Sequence, residues 1–377
     1  MKYSFYKILL LFFLFITTTT TIYSSNEFVA TVEAESEVED RLDVKVLILD
    51  HLADSYEWHI WGDGDKHISI YLPVILYSKT SGWQLFLSSK FNSEHSTYNG
   101  FYIAADGEYK DKIVEQDSSG KEVRPLDLSI TKNAASLIIN SLILIIVVLF
   151  VGKVIKRDPL KPHKGFVGMI EIFILIIEDE VIKATVGKEY KRFSPYLLTV
   201  FFFIFINNIM GLVPFFPGGA NVTGNIAVTM VLAIGTFLVI NLTGSKAYYK
   251  EIFWPDVPTW LKVPFPLMPI IEIVGLFTKP FALMIRLFAN IMAGHAILLG
   301  LTCLVFVTVS LGPAMNSSMT VLSVVFTVFI NFLEILVAFI QAYVFTLLSS
   351  VFIGLARDDH SEDKNKQVMT VDNTTRH

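Results

Sequence analysis

Cysteine is nearly absent: Cys303 is the single one among 377 residues. That excludes an intrachain disulfide framework and any cysteine-rich zinc or iron–sulfur centre. Charge is scarce as well. Asp, Glu, Lys and Arg make up 17% of the chain, against about a quarter in a soluble globular domain. There is no phosphate loop ending in Lys-Ser/Thr, no Gly-x-Ser-x-Gly elbow and no His-Glu-x-x-His pair. The usual nucleotide and hydrolase signatures are therefore missing. A net charge of −5 argues against nucleic acid as the main partner.

What is present is apolar. Hydrophobic residues make up 53% of the chain, 31 of them Phe, and the mean hydropathy is +0.55. This balance points to a membrane. The charge is unevenly spread. Residues 26–128 carry 20 Asp+Glu and 9 Lys+Arg, whereas residues 129–377 carry 15 and 19. Two different solvents have shaped the two parts.

Residues 1–25 open with Lys2 and Lys7, continue with the apolar run Ile8–Ile16 and end in a Thr/Ser tract. That order is a secretory signal, or else an uncleaved N-terminal anchor. Either way residues 26–128 are expected to be exported, as a small soluble segment. Glu33–Asp43 is acidic and poorly patterned. His67–Tyr77, Trp83–Ser88 and Gly100–Ala105 are rich in β-branched and aromatic residues between turn formers, and are predicted strands. His51, Asp54, Glu57, His59 and His67 cluster in sequence, with Glu57 and His59 as conceivable metal ligands. Their spacing is not that of a metal site, and polar decoration around Trp58 and Trp61 is the favoured reading.

From residue 129 to 356 the pattern is that of spanning helices. Ala134–Val151 is long enough for one crossing. Lys153, Lys156, Arg157, Lys161 and Lys164 follow it, which marks the cytoplasmic end. Gly165–Lys191 mixes an apolar core with Glu171, Glu178, Asp179, Glu180 and Lys183, and is expected to be an interfacial or re-entrant helix. Two spans are predicted at about 196–213 and 225–243, split by Pro214-Phe-Phe-Pro-Gly-Gly. The loop 244–266 carries Lys246, Lys250 and Lys262, with Trp254 and Trp260 as interface anchors. Pro266–Leu311 and Met319–Ala356 then form two long apolar stretches, and residues 357–377 a cytoplasmic tail. The fold class is thus mainly α: a polytopic membrane helical protein with a long C-terminal two-helix hairpin, plus a small exported β-rich N-terminal segment.

Between Pro266 and Ser350 the charged residues are Glu272, Lys279, Arg286 and Glu334, and His295 is the one histidine. A charge at the bilayer centre costs about 3 kcal/mol, so such groups are functional candidates. Glu272, Lys279 and Arg286 are spaced by seven, so a continuous helix aligns them in one stripe, with Asn290 a turn beyond Arg286. Pro280 threatens that register. His295 lies on about the opposite face. Glu334 and Gln341 also share a face, with Asn331 beside them. A guanidinium stays protonated at any accessible pH, and in low dielectric it needs an anion. Glu272 or Glu334 is an internal candidate; a carboxylate on another subunit is the sharper one. His and Glu suit a proton relay.

The run Lys279-Pro-Phe-Ala-Leu-Met-Ile-Arg-Leu-Phe-Ala-Asn-Ile-Met-Ala-Gly-His resembles the signature of subunit a of the rotary F-type ATP synthase. Gln341-Ala-Tyr-Val-Phe-Thr-Leu-Leu-Ser-Ser resembles the family's last-helix motif. Asn207-Asn-Ile-Met-Gly-Leu-Val-Pro and Gly224-Asn-Ile-Ala-Val-Thr resemble its middle spans. The likeness covers roughly residues 130–356. It implies a non-catalytic stator without cofactor or bound metal. Such a stator sits in a bacterial inner membrane beside a ring of c subunits and the peripheral-stalk b subunit, with its N-terminal segment periplasmic. Two half-channels would carry protons to and from the ring carboxylates. By the same resemblance Arg286 matches the essential arginine and Asn290 its polar neighbour. Glu272 matches the cytoplasmic exit track, His295 and Glu334 the outer half-channel, and Gln341 the glutamine near the arginine. Asn225 falls where many members have a polar access residue.

There are two departures. Some bacterial members carry Glu at the position of His295 and His at that of Glu334, so the types are exchanged here. The segment 26–128 is longer than a minimal member needs. Competing classes are a stand-alone secondary transporter or channel, a receptor sensing through residues 26–128, and an isolated enzyme. No internal repeat supports the first, a 21-residue tail is too short an output domain for the second, and no nucleophile–base set supports the third. Leu283 and Leu287 flank Arg286 and are natural positions for cysteine probes of the ring-facing surface.

Overall fold

The computed structural model describes residues 53–61, 68–91, 97–105, 107, 109–117, 120–157, 162–213, 216–253 and 267–357. Two compact units are distinguished. One is drawn from Met1–Leu142, Asn207–Val222 and Met292–Ile335, the other from Ile143–Ile206, Thr223–Ile291 and Leu336–His377.

In the first unit, short strands form three small antiparallel sheets. β1 (Glu57–Trp61) pairs with β2 (Ile68–Tyr71). β3 (Pro73–Ser78) lies between β4 (Gly82–Leu87) and the later β8 (Leu126–Asp127). β5 (Phe101–Ile103), β6 (Ile113–Gln116) and β7 (Glu122–Val123) complete the third. The predicted strands at 67–77, 83–88 and 100–105 are thus formed, with a break at Leu72. Alternation sends Val74, Leu76 and Phe86 inward, where they pack with Tyr56, Phe101 and Ile113. The Tyr56 hydroxyl donates to Asp127 Oδ2 at 2.5 Å. Burial and that hydrogen bond push the phenol well above its usual range. The opposite face of β3, β4 and β8 is also apolar, and it is exposed: Trp83 at 64%, Leu85 at 74% and Leu126 at 56%.

Of the clustered residues 51–67, Asp54 is structural: its carboxylate accepts the Asn133 N–H at 3.0 Å. His51 and His67 lie outside the described residues. Ser55 O likewise accepts the Lys132 N–H at 2.8 Å. These contacts satisfy orphan amides at the start of helix α1 (Lys132–Arg157), so the β unit and the helix are joined without slack.

Eight helices follow among the described residues. After α1 come α2 (Gly165–Leu175), a π-turn over Ile176–Ile182, α3 (Lys183–Val186) and α4 (Tyr190–Leu212). Residues 165–191 are thus a helix interrupted by wider and tighter turns. α5 (Ile226–Thr243) is capped by Asn225, whose side chain accepts the Ala227 N–H at 2.9 Å. α6 (Lys246–Phe253) begins the return loop; Trp254, Trp260 and Lys262 lie outside the described residues. α7 (Leu267–Val307) and α8 (Pro313–Arg357) form the long hairpin. Its corner needs Gly312, at φ 99°, followed by Pro313 at the first helical position. α7 runs unbroken through Pro280, so the feared loss of register does not occur. α8 starts six residues before the predicted stretch.

Four helices are long and apolar enough to cross a membrane: Lys132–Arg157, Ile226–Thr243, Met268–Ser310 and Pro313–Arg357. α4 covers the other predicted span. The protein is a multi-pass membrane protein. In the second unit, an aromatic cluster ties α2, α4 and α8: Phe173, Phe201, Phe205 and Phe339 have ring centroids 5.5–6.0 Å apart. Hydroxyls add bonds between helices, from Tyr196 to Thr236 at 3.2 Å and from Thr236 to Ser349 at 3.4 Å.

Candidate functional site

The site residues are divided between the two units. Arg286, Asn290, Glu272, Lys279 and Gln341 belong to the second. Leu283 and Leu287, 2% and 1% exposed, anchor α7 to the core of that unit. Three residues on from each anchor the helix presents its outer face. Arg286 and Asn290 are exposed, as are Ala282, Ala289 and Phe281. The guanidinium therefore sits on a face paved with small side chains. An open groove of about 330 Å³ runs beside it, lined by Thr278, Lys279, Ala282, Leu283, Arg286, Leu348 and Phe352.

Among the described residues no carboxylate is in ion-pair contact with Arg286. Glu334 is engaged elsewhere, and Glu272 is fourteen residues up the same helix, about 21 Å away. Glu272 is half-buried. Lys279 places its ammonium 5.5 Å from the centre of the Phe352 ring, a cation–π contact. Gln341 is buried and shares a face of α8 with Ala338 and Phe345.

The other unit holds His295 and Glu334. The structure brings them together: His295 Nδ1 lies 3.1 Å from Glu334 Oε1, with side-chain exposures of 17% and 8%. Sequence alone placed the two on different helices with no stated distance. The exchange of residue types leaves the contact intact, because it needs one imidazole and one carboxylate in reach, in either order. Among the described residues Glu334 Oε2 is buried with no hydrogen-bond partner. A bare backbone makes room for the pair: a Cβ on Gly294 would stand 2.5 Å from Glu334 Oε1, and one on Gly211 3.7 Å from His295 Nε2. Gly294→Ala is expected to push the flexible carboxylate off His295 and leave the helices in place. Immunoblots should show wild-type amounts of protein in the membrane while proton pumping falls several-fold; unchanged pumping would mean that the contact is dispensable.

Sequence reasoning missed the uncharged polar residues of α1, which meet others in the same unit. Asn140, wholly buried in α1, donates to Ser136 Oγ at 3.2 Å and to Asn207 Oδ1 at 3.1 Å. Its own Oδ1, and that of Asn133, are buried without a protein partner. Asn207 and Gly211 are one turn apart on α4, so the face that meets Asn140 also reaches His295. The signal was legible: Asn133, Ser136 and Asn140 recur at i, i+3 and i+7, one stripe in an apolar run. Asn331, one turn before Glu334, is buried and donates to Thr327 O at 3.0 Å. Buried acceptors without a protein partner call for water.

Residues 47–132 match a family described as "Domain of unknown function (DUF8433)". The chain is 42% identical to the protein named "ATP synthase subunit a" of Chloroherpeton thalassium over 64% of this chain and 71% of that one. It is 42% identical to the protein of that name from Chlorobium phaeobacteroides, over 63% and 68%. It is 40% identical to the one from Myxococcus xanthus, over 63% and 78%. Residues 135–354, which carry Arg286 on its exposed face and the His295–Glu334 pair, match the family described as "ATP synthase A chain", and the chain belongs to that family.

Proposed function

We propose that the chain is the stator subunit of a proton-translocating ATP synthase, with two half-channels that deliver protons to and collect them from the carboxylates of a c-subunit ring. The observation that carries this reading is Arg286. It is a permanent cation on an exposed, small-residue face of a membrane helix, with no carboxylate in contact among the described residues. Such a charge is tolerable in hydrocarbon when an anion from outside meets it.

In this role Arg286 attracts a deprotonated ring carboxylate, favours release of its proton and separates the half-channels. Asn290 offers a neutral amide on the same face. Glu272 leads protons out to the cytoplasm. His295 and Glu334 pass them in from the outer side, fed through Asn140 and Asn207, with Asn225 at the access end. Gln341 backs the arginine. The chain performs no bond chemistry itself; its partners are the c ring, the b subunit and lipid, and its cargo is the proton. The orientation puts the β-rich N-terminal segment in the periplasm, behind a signal at residues 1–25, and residues 357–377 in the cytoplasm of a bacterial inner membrane.

Cysteine cross-linking tests the reading. Leu283 and Leu287 point into the core, so the probes belong at Ala282 and Ala289, in a Cys303→Ser background. Oxidation of native membranes should join either probe to a small carboxylate-bearing subunit carrying its own engineered cysteine. A chain that remains uncrosslinked and conducts ions alone in liposomes would favour the independent transporter.

A further inference from the structure

The exposed face of the β3–β4–β8 sheet is a grid. Register pairs Pro73 with Leu87, Ile75 with Leu85 and Tyr77 with Trp83. On the other side Leu126 lies beside Tyr77. Backbone bonds from Leu128 N to Ile75 O at 2.9 Å and from Ile130 N to Pro73 O at 3.1 Å carry the pairing to the end of the strand. Period-two geometry then puts all nine side chains on one face, in three rows. The row nearest α1 is Ile130, Pro73 and Leu87; the middle row is Leu128, Ile75 and Leu85; the far row is Leu126, Tyr77 and Trp83. None is charged or polar apart from the Tyr77 hydroxyl and the Trp83 indole N–H. Leu85 is 74% exposed and Leu87 52%.

A soluble sheet facing water shows polar residues at these positions. A contiguous apolar patch marks a partner. Two observations identify it. The first is continuity. The segment carrying Leu126, Leu128 and Ile130 runs directly into α1, whose first amides are held by Ser55 and Asp54, and α1 goes on to expose Ile138 and Leu142. The second is the gradient along the strands. Aliphatic side chains lie next to the membrane helix, aromatic ones further out, and Lys79 and Arg124 are exposed beyond them. That is the order of a bilayer surface: hydrocarbon, aromatic belt, headgroups. Successive rows are about 7 Å apart, so a sheet inclined to the bilayer brings all three within reach of the interface.

We infer that this sheet face is a lipid-binding surface, seated on the leaflet at the N-terminal end of α1, and that the β unit is a membrane-resting collar. The inference needs the protein to be a membrane protein and is independent of the stator role. The test is spin-label accessibility in the full chain, purified with its complex and reconstituted in vesicles of phosphatidylcholine and phosphatidylglycerol. Nitroxides are placed singly by Leu85→Cys, Leu128→Cys and, as a water-facing control, Ser81→Cys, all with Cys303→Ser. The expected result is a several-fold rise in collision with oxygen relative to a water-soluble nickel complex at 85 and 128, and none at 81. Labels at 85 and 128 as open to nickel as at 81 would overturn the inference. So would labels that are immobilised and shielded from both reagents, since a protein partner would then cover the face. The two positions lie on different strands, so local misfolding at one does not decide the outcome.

Discussion

Arg286→Lys is expected to abolish ATP-driven acidification of inverted membrane vesicles without lowering the amount of assembled complex. Lysine keeps a positive charge, so a purely structural cation would survive the change. It loses the planar fork that holds a carboxylate through two bonds, and in low dielectric it deprotonates. Each loss acts on the proposed role. A potential on the order of 150 mV stores about 3.5 kcal/mol per proton, and a gap between half-channels dissipates it at every step. Robust acidification by this mutant would sink the stator assignment. Because Arg286 is on an exposed face and makes no ion pair among the described residues, removing it should not unfold α7, which is held through Leu283 and Leu287.

His295→Ala or Glu334→Gln alone is expected to cut proton-driven ATP synthesis roughly a hundredfold, the lower end for a positioned proton-transfer group. The exchange His295→Glu with Glu334→His should recover a large part of that loss. The reasoning rests on the 3.1 Å contact and on Glu334 Oε2, a buried acceptor left to water. A relay needs a carboxylate and an imidazole in reach of each other and does not care which helix supplies which. If the double variant is as inactive as the singles, the order of the two groups matters and the relay is directional. If Glu334→Gln alone retains full activity, the pair is a structural clasp.

Much of the fold was legible because a bilayer forces a simple code. Apolar runs became α1, α4, α5, α7 and α8, and the loop residues Gly312 and Pro313 set the hairpin corner. Pro280 misled: proline is read as a breaker, yet it sits inside α7. The charged candidates stood out in the sequence because each charge in hydrocarbon demands a reason. Asn140 carries no charge and was passed over, and Asn207 was read only as part of a motif, although the two buried amides meet at 3.1 Å. The closeness of His295 and Glu334 depends on how α7 and α8 pack, which no helical wheel contains. Leu283 and Leu287 illustrate the same limit: adjacency to Arg286 in sequence suggested the ring side, and the helix turns them inward. The β4 run Trp83-Gln84-Leu85-Phe86-Leu87 reads as a strand, but its two apolar faces conceal which one is core.

A stator is also a mechanical part. Whatever pushes on the exposed face of α7 meets a reaction force that passes through Leu283 and Leu287 into the core behind. There the interlocked rings of Phe173, Phe201, Phe205 and Phe339 join three helices. Close-packed interiors are hardly compressible and transmit strain instead of absorbing it. In the proposed stator role the ring cluster would serve as a brace, resisting recoil of the arginine so that work goes into rotation and not into bending the anvil.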